Sequence, residues 1–123
     1  MSRPILVVDD DADLGWIMER LLAQLGHVVA LANSGQTALA LTAQTAFGVA
    51  FVDLKLPDIE GHELVRRLRA TQPALPCVLV SGYLYADDDS VQAAQDAGDI
   101  AGFIGKPFQL AQVREVLLRL GIG

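Results

Sequence analysis

Five short apolar runs recur along this chain, and each is followed by a stretch with helical character. The runs are Ile5-Leu6-Val7-Val8, Val28-Val29-Ala30-Leu31-Ala32, Val49-Ala50-Phe51-Val52, Cys77-Val78-Leu79-Val80, and Ile100 to Ile104. A short apolar run bounded by turn residues reads as a strand buried on both faces, whereas an apolar repeat every three or four residues is one face of a helix. Strict alternation of the two favours parallel pairing, because each helix carries the chain back to the start of the next strand by a right-handed crossover. The expected architecture is therefore α/β, with five βα units and a five-stranded parallel sheet covered by helices on both sides.

The intervening stretches carry their own start and stop signals. Leu14, Ile17, Met18, Leu21, Leu22 and Leu25 form one helical face, and Gly26 ends that helix. Asn33-Ser34-Gly35 is a turn with a capping residue, opening a helix from Gln36 to about Thr45. Gly61 precedes a helix with Leu64, Val65 and Leu68 inward and Arg66, Arg67 and Arg69 outward. Asp87, Asp88 and Asp89 suit the positive end of a fourth helix running to Ala97-Gly98. Leu110, Val113, Leu117 and Leu120 line the last. Without a linker, repeat or low-complexity segment, residues 1–123 read as a single domain of ordinary size. For a doubly wound (βα)5 chain the flavodoxin-like strand order 2-1-3-4-5 is the natural choice, with its switch point between strands one and three.

Bulk properties exclude several function classes. The net charge is −6 and the basic residues are scattered apart from Arg66, Arg67 and Arg69, which opposes direct nucleic acid binding. Although 52% of residues are hydrophobic, no apolar run approaches the roughly 20 residues of a membrane helix, and no secretory leader follows Met1-Ser2-Arg3. No membrane association is expected. Cys77, the one cysteine, lies in an apolar run and reads as a small buried core residue of a protein from reducing cytoplasm. His27 and His62 have no cysteine or histidine partner at metal spacing and read as surface residues.

The strand order gives chemistry to the acids. Asp9 and Asp10 after strand one and Asp53 at the end of strand three meet at the C-terminal edge of the sheet, joined by Ser81 and Lys106 from strands four and five. One like-charge pair about 4 Å apart costs roughly 4 kcal/mol at an effective dielectric near 20. A dense positive charge offsets that cost, and hard oxygen ligands suit Mg²⁺. Lys106 supplies a second positive point and Ser81 a hydroxyl donor. A carboxylate so flanked is arranged to accept a phosphoryl group.

Taken together, Val7-Val8-Asp9-Asp10, Asp53-Leu54-Lys55-Leu56-Pro57-Asp58 with Gly61, Ser81-Gly82 and Lys106-Pro107-Phe108 resemble the response-regulator receiver domain of bacterial two-component signalling, over essentially the whole chain. The resemblance implies that Asp53 is the phosphoacceptor. It implies that Asp9, Asp10, Asp53 and the Lys55 backbone carbonyl hold Mg²⁺, for which Mn²⁺ could substitute. Ser81 and Lys106 would bind the phosphoryl oxygens, and Ser81 and Phe103 would act as the switch pair. The implied partner is a sensor histidine kinase or histidine phosphotransfer domain, docking on Leu14, Trp16, Gly82, Tyr83, Pro107 and Phe108. A homodimer through the last two βα units is also expected. Such a module catalyses only its own phosphorylation and dephosphorylation.

Two other classes fit less well. A phosphatase with an aspartyl nucleophile carries a second Asp two residues on, where this chain has Lys55. An FMN-binding protein needs a Ser/Thr/Gly-rich phosphate loop after strand one, where this chain has Asp9-Asp10-Asp11. Departures from the receiver pattern are confined to the output side: Phe103 lacks the hydroxyl of the family's frequent tyrosine, and Val80 to Asp89 and Gly98 to Gly102 run long. The Lys106–Pro107 peptide is expected to be cis. With Gly121-Ile122-Gly123 at its end, the chain is expected to be a stand-alone receiver or one excised from a larger regulator or hybrid kinase.

Overall fold

A computed structural model describes residues 3–82, 100–106 and 109–122. Its elements in chain order are β1 (Ile5–Val8), α1 (Ala12–Gln24), β2 (Val29–Ala32), α2 (Gly35–Thr42), β3 (Val49–Asp53), α3 (Gly61–Thr71), β4 (Cys77–Gly82), β5 (Gly102–Lys106) and α4 (Leu110–Arg119). The strands form one parallel sheet in the order β2-β1-β3-β4-β5. The expected helix from Asp87 to Ala97 lies outside the described residues.

Strand residues alternate between two apolar layers, as the two-residue period requires. Leu6, Val8, Ala50, Val52 and Leu79 face Ala38 of α2 and Leu64, Val65 and Leu68 of α3. Ile5, Val7, Phe51, Val78 and Ile104 face Met18 and Leu22 of α1 and Val113, Val116 and Leu117 of α4. Each fully buried Leu, Ile, Val or Phe contributes roughly 1.5–3 kcal/mol of transfer free energy, so these layers supply most of the drive to fold. Below the sheet edge, the Gln72 side chain ties two connections together. Its amide donates to the carbonyls of Thr42 (2.9 Å) and Thr45 (2.7 Å), and its oxygen accepts from Phe47 N (3.1 Å).

Several expectations need correction. β2 begins at Val29, with Val28 75% exposed, because Val28 precedes the first residue that pairs with β1. β5 begins at Gly102; Ile100 is buried but unpaired, so its apolar character reports burial and not the ladder. β4 continues through Ser81 and Gly82, paired with Gly105 and Lys106. α2 runs from Gly35 only to Thr42, and Gly61 is itself the first residue of α3. On α1, Ile17 is 41% exposed while Gly15, Met18 and Leu22 are buried, so the buried stripe is narrower than the apolar one. Arg69 is half-buried at the end of α3, and His27 and His62 are half-buried instead of lying free on the surface. Val116 joins the inward face of α4, and Leu120, its C-cap, packs against the same layer as expected. Gly26, with φ 91°, sits just past the end of α1 in the left-handed region that glycine enters without steric cost.

Candidate functional site

β1 and β3 pair in register from Ile5 with Val49 to Val8 with Val52. Asp9 and Asp53 are the next residue on each, so the pairing itself delivers two carboxylates to one edge of the sheet. Asp10 follows in the turn before α1. One carboxylate oxygen from each of Asp9, Asp10 and Asp53 lies within 4.8 Å of the others. Asp53 is 7% exposed, and Asp10 is open to solvent. Three carboxylates sharing so small a space, open on one side, form a hard oxygen donor set that fits a divalent cation.

The two loops beside the cluster are shaped by backbone contacts. Asp11 N donates to Asp9 Oδ1 (2.9 Å), orienting that carboxylate. Asp11 turns its own carboxylate to α1 as the N-cap, accepting from Asp13 N (3.0 Å) and Leu14 N (3.3 Å). The acidic triplet therefore divides: two residues serve the cluster and one serves the helix. After β3, Lys55 N donates to Asp53 Oδ1 (3.1 Å), Lys55 bridges Glu60, and Gly61 N donates to Leu54 O (2.8 Å). This closed loop needs a glycine at its end, because a Cβ on Gly61 would overlap the Asp53 carbonyl oxygen and lie 2.7 Å from Leu54 Cα.

At the loop's tip, the Asp58 carboxylate accepts from Gly35 N and Gln36 N, both at 2.9 Å. These amides, Gly35 first, hold the Asp58 carboxyl below the usual carboxylate range. In the sequence Asp58 stands only as part of the Asp53–Asp58 motif, with no role legible for it. Its signal was faint: an Asp after Pro is also ordinary turn chemistry.

The other expected site residues divide by position. The strand register sets Asp53 opposite Val80, Ser81 opposite Gly105, and Gly82 opposite Lys106, which brings all three segments to the same edge. The side chains of Ser81 and Lys106 lie outside the described residues, as do Tyr83, Pro107, Phe108 and the expected cis peptide. Phe103 pairs with Leu79, two register steps from Ser81, and its half-buried ring packs against the layer under α2 and α3. Leu14 is half-buried on α1, and Trp16 is 53% exposed with the Arg20 guanidinium 4.9 Å from its ring centroid.

A flavodoxin-like parallel sheet with three carboxylates at its β1/β3 switch point defines the class of domain. The chain belongs to the response regulator receiver domain family, which it matches over residues 5–118. It is therefore a phosphoacceptor signalling module. It is 29% identical over 123 residues to the response regulator protein FleR of Pseudomonas aeruginosa, covering 100% of this chain and 25% of that protein. It is 32% identical over 114 residues to the receiver protein Anae109_2439 of Anaeromyxobacter, covering 93% of this chain and 47% of that protein. The chain thus spans less than half the length of these relatives. Among solved structures, the receiver domain of NtrX from Brucella abortus is similar at a TM-score of 0.86 and 30% identity, covering 94% of this chain and 96% of that one. A CheY-like receiver domain protein from Methanospirillum hungatei JF-1 matches at a TM-score of 0.88 and 28% identity, covering 98% and 95%. Among the described residues, no helix is long and apolar enough to cross a membrane.

Proposed function

We propose that Asp53 accepts a phosphoryl group from a phosphohistidine of a sensor kinase or phosphotransfer domain. The observation that carries this reading is the cluster of Asp9, Asp10 and Asp53, in which the acid at the end of β3 is only 7% exposed. An Asp53 carboxylate oxygen forms the new bond to phosphorus as the bond from phosphorus to the donor nitrogen breaks. Asp9, Asp10, Asp53 and the Lys55 carbonyl would hold Mg²⁺, with Mn²⁺ able to substitute. When bound, that cation supplies positive charge at the transferring oxygens. Lys106 and Ser81 receive the phosphoryl oxygens, and the Lys55 amide orients Asp53 from the backbone.

Phosphorylation is read out through Ser81 and Phe103. A new anion beside a hydroxyl donor makes a charge-assisted hydrogen bond. Phe103 has no hydroxyl to bias its rotation, so it responds by packing into the space Ser81 leaves, and the populations of the adjoining surface shift. Leu14, Trp16, Gly82, Tyr83, Pro107 and Phe108 form the docking edge for the phosphodonor, and the last two βα units form a dimer contact. Residues 1–123 act as one receiver domain.

The test is incubation with acetyl phosphate and Mg²⁺ followed by intact-mass spectrometry. Wild type should gain one phosphoryl group, and Asp53→Asn none. A second modified residue, or an Asp53→Asn protein that is still phosphorylated, overturns the assignment.

A further inference from the structure

We infer that Asp58 is a positioning residue for the acidic site: its carboxylate grips the N-terminal end of α2 and so holds the loop bearing Lys55 against Asp53. This rests on the reading of that loop as one wall of the cation and phosphoryl site.

The base of the loop is located by Leu54 N, which donates to Val80 O (3.1 Å), and by Lys55 N, which donates to Asp53 Oδ1 (3.1 Å). Lys55, Pro57, Asp58 and Glu60 are exposed, and only Leu56 and Ile59 pack, half-buried, against the core. Its internal contacts, from Lys55 to Glu60 and from Gly61 to Leu54, fix its shape, and Asp58 ties its tip to the rest of the fold. The Asp58 bonds to Gly35 and Gln36 span 23 and 22 residues and join the tip to a different βα unit. They are charge-assisted, and the two amides are donors that the first turn of a helix leaves without an internal partner.

The anchor itself is firm. Ser34 caps α2 by accepting from Thr37 N (3.2 Å), and Ala38 and Thr42 are buried. Just before α2, Ala32 O accepts from Asp9 N (3.0 Å), so the anchor is also tied to the first acidic turn. The connection then runs from Asp9 through the β2–α2 turn to Asp58, along the loop to Lys55, and back to Asp53. Gly35 makes the close approach attainable: a Cβ there would overlap the Ile59 side chain. Freed of the clamp, the loop keeps its fold but loses its distance to the carboxylates, and a cation shell is sensitive to such displacement.

The experiment is a Mg²⁺ titration by NMR amide shifts on wild type, Asp58→Ala, Asp58→Asn, Gly35→Ala and Val113→Ala. Thermal unfolding and amide exchange are measured on each protein without cation. Val113 lies in the opposite layer and serves as a core variant of lowered stability. Substitution of groups that orient ligands typically weakens metal binding about 10–100-fold, and Asp58 acts one bond further out, so Asp58→Ala should raise the Mg²⁺ dissociation constant about 3–10-fold. Asp58→Asn, which keeps one acceptor oxygen, should restore part of the loss. Gly35→Ala should mimic Asp58→Ala by displacing Ile59. Exchange at Lys55 and Gly61 should accelerate in Asp58→Ala beyond its acceleration in Val113→Ala. An unchanged constant in both Asp58→Ala and Gly35→Ala, or an equal rise in Val113→Ala, overturns the clamp. Absence of saturable binding in wild type overturns the cation-site reading instead, and the exchange comparison alone then decides whether the clamp holds the loop.

Discussion

At the scale of single residues, burial and hydrogen bonding decide which titratable groups are chemically available. Cys77 is 1% exposed at the start of β4, and desolvation pushes its thiol up to about 12, against a smaller opposing effect of the Arg69 charge. At pH 8 the thiolate is then on the order of one part in ten thousand, and the thiol is inert. Iodoacetamide at that pH should leave the folded protein unmodified and label Cys77 fully in guanidinium chloride; rapid labelling of the folded state would contradict this. The sequence expectation of a buried core cysteine is met here. The acids behave differently because their surroundings are polar. Asp11 and Asp58 satisfy helix amides, whereas Asp9, Asp10 and Asp53 face one another.

At the scale of elements, α2 shows how a short helix is held at a sheet edge. It has eight residues, and its N-terminal amides are served by Ser34 from its own turn and by Asp58 from another. The two bonds lower the Asp58 pKa from its ordinary value of 3.8. The stability they confer is therefore fully present above that value and is lost as pH falls through the lower, folded value. Asp58→Asn should be less stable than wild type at pH 6, and the two should converge as both are taken to acid. Urea unfolding at a series of pH values reads this directly; parallel curves from pH 6 to pH 2 would exclude a titrating cap. The Ile17 misassignment belongs to this scale as well. Periodicity marks an apolar stripe on α1, but the width of the buried stripe depends on how much sheet lies beneath it.

At the scale of the whole molecule, the fold brings like charges together and leaves them near the surface. Removing one should relieve repulsion while destroying the donor set. Asp10→Asn should therefore unfold at a higher temperature than wild type in buffer containing EDTA. Wild type should gain stability on adding Mg²⁺, by the ordinary linkage between binding and folding, and Asp10→Asn should gain far less. Thermal melts with and without 10 mM Mg²⁺ distinguish these outcomes. Equal gains in the two proteins would remove Asp10 from the cation site.

The sequence by itself determined the order of the described elements, the parallel sheet and the meeting of Asp9, Asp10 and Asp53. Each follows from short-range information: two apolar periods, turn residues, and the position of an acid at the end of a strand. Given right-handed crossovers, few strand orders remain, and the acids are carried wherever their strands go. Tertiary structure alone decided the rest. Ile100 and Val28 look like strand residues, yet pairing depends on a neighbouring strand and not on hydrophobicity. Arg69, read as outward, is half-buried where α3 ends against the start of β4, a fact of packing that helical periodicity does not contain. Asp58 reaches Gly35 across 23 residues, and nothing local distinguishes it from any aspartate in a turn. Contacts between loops of different βα units arise only once the sheet has set those loops side by side, which is why they escape a reading of the chain in one dimension.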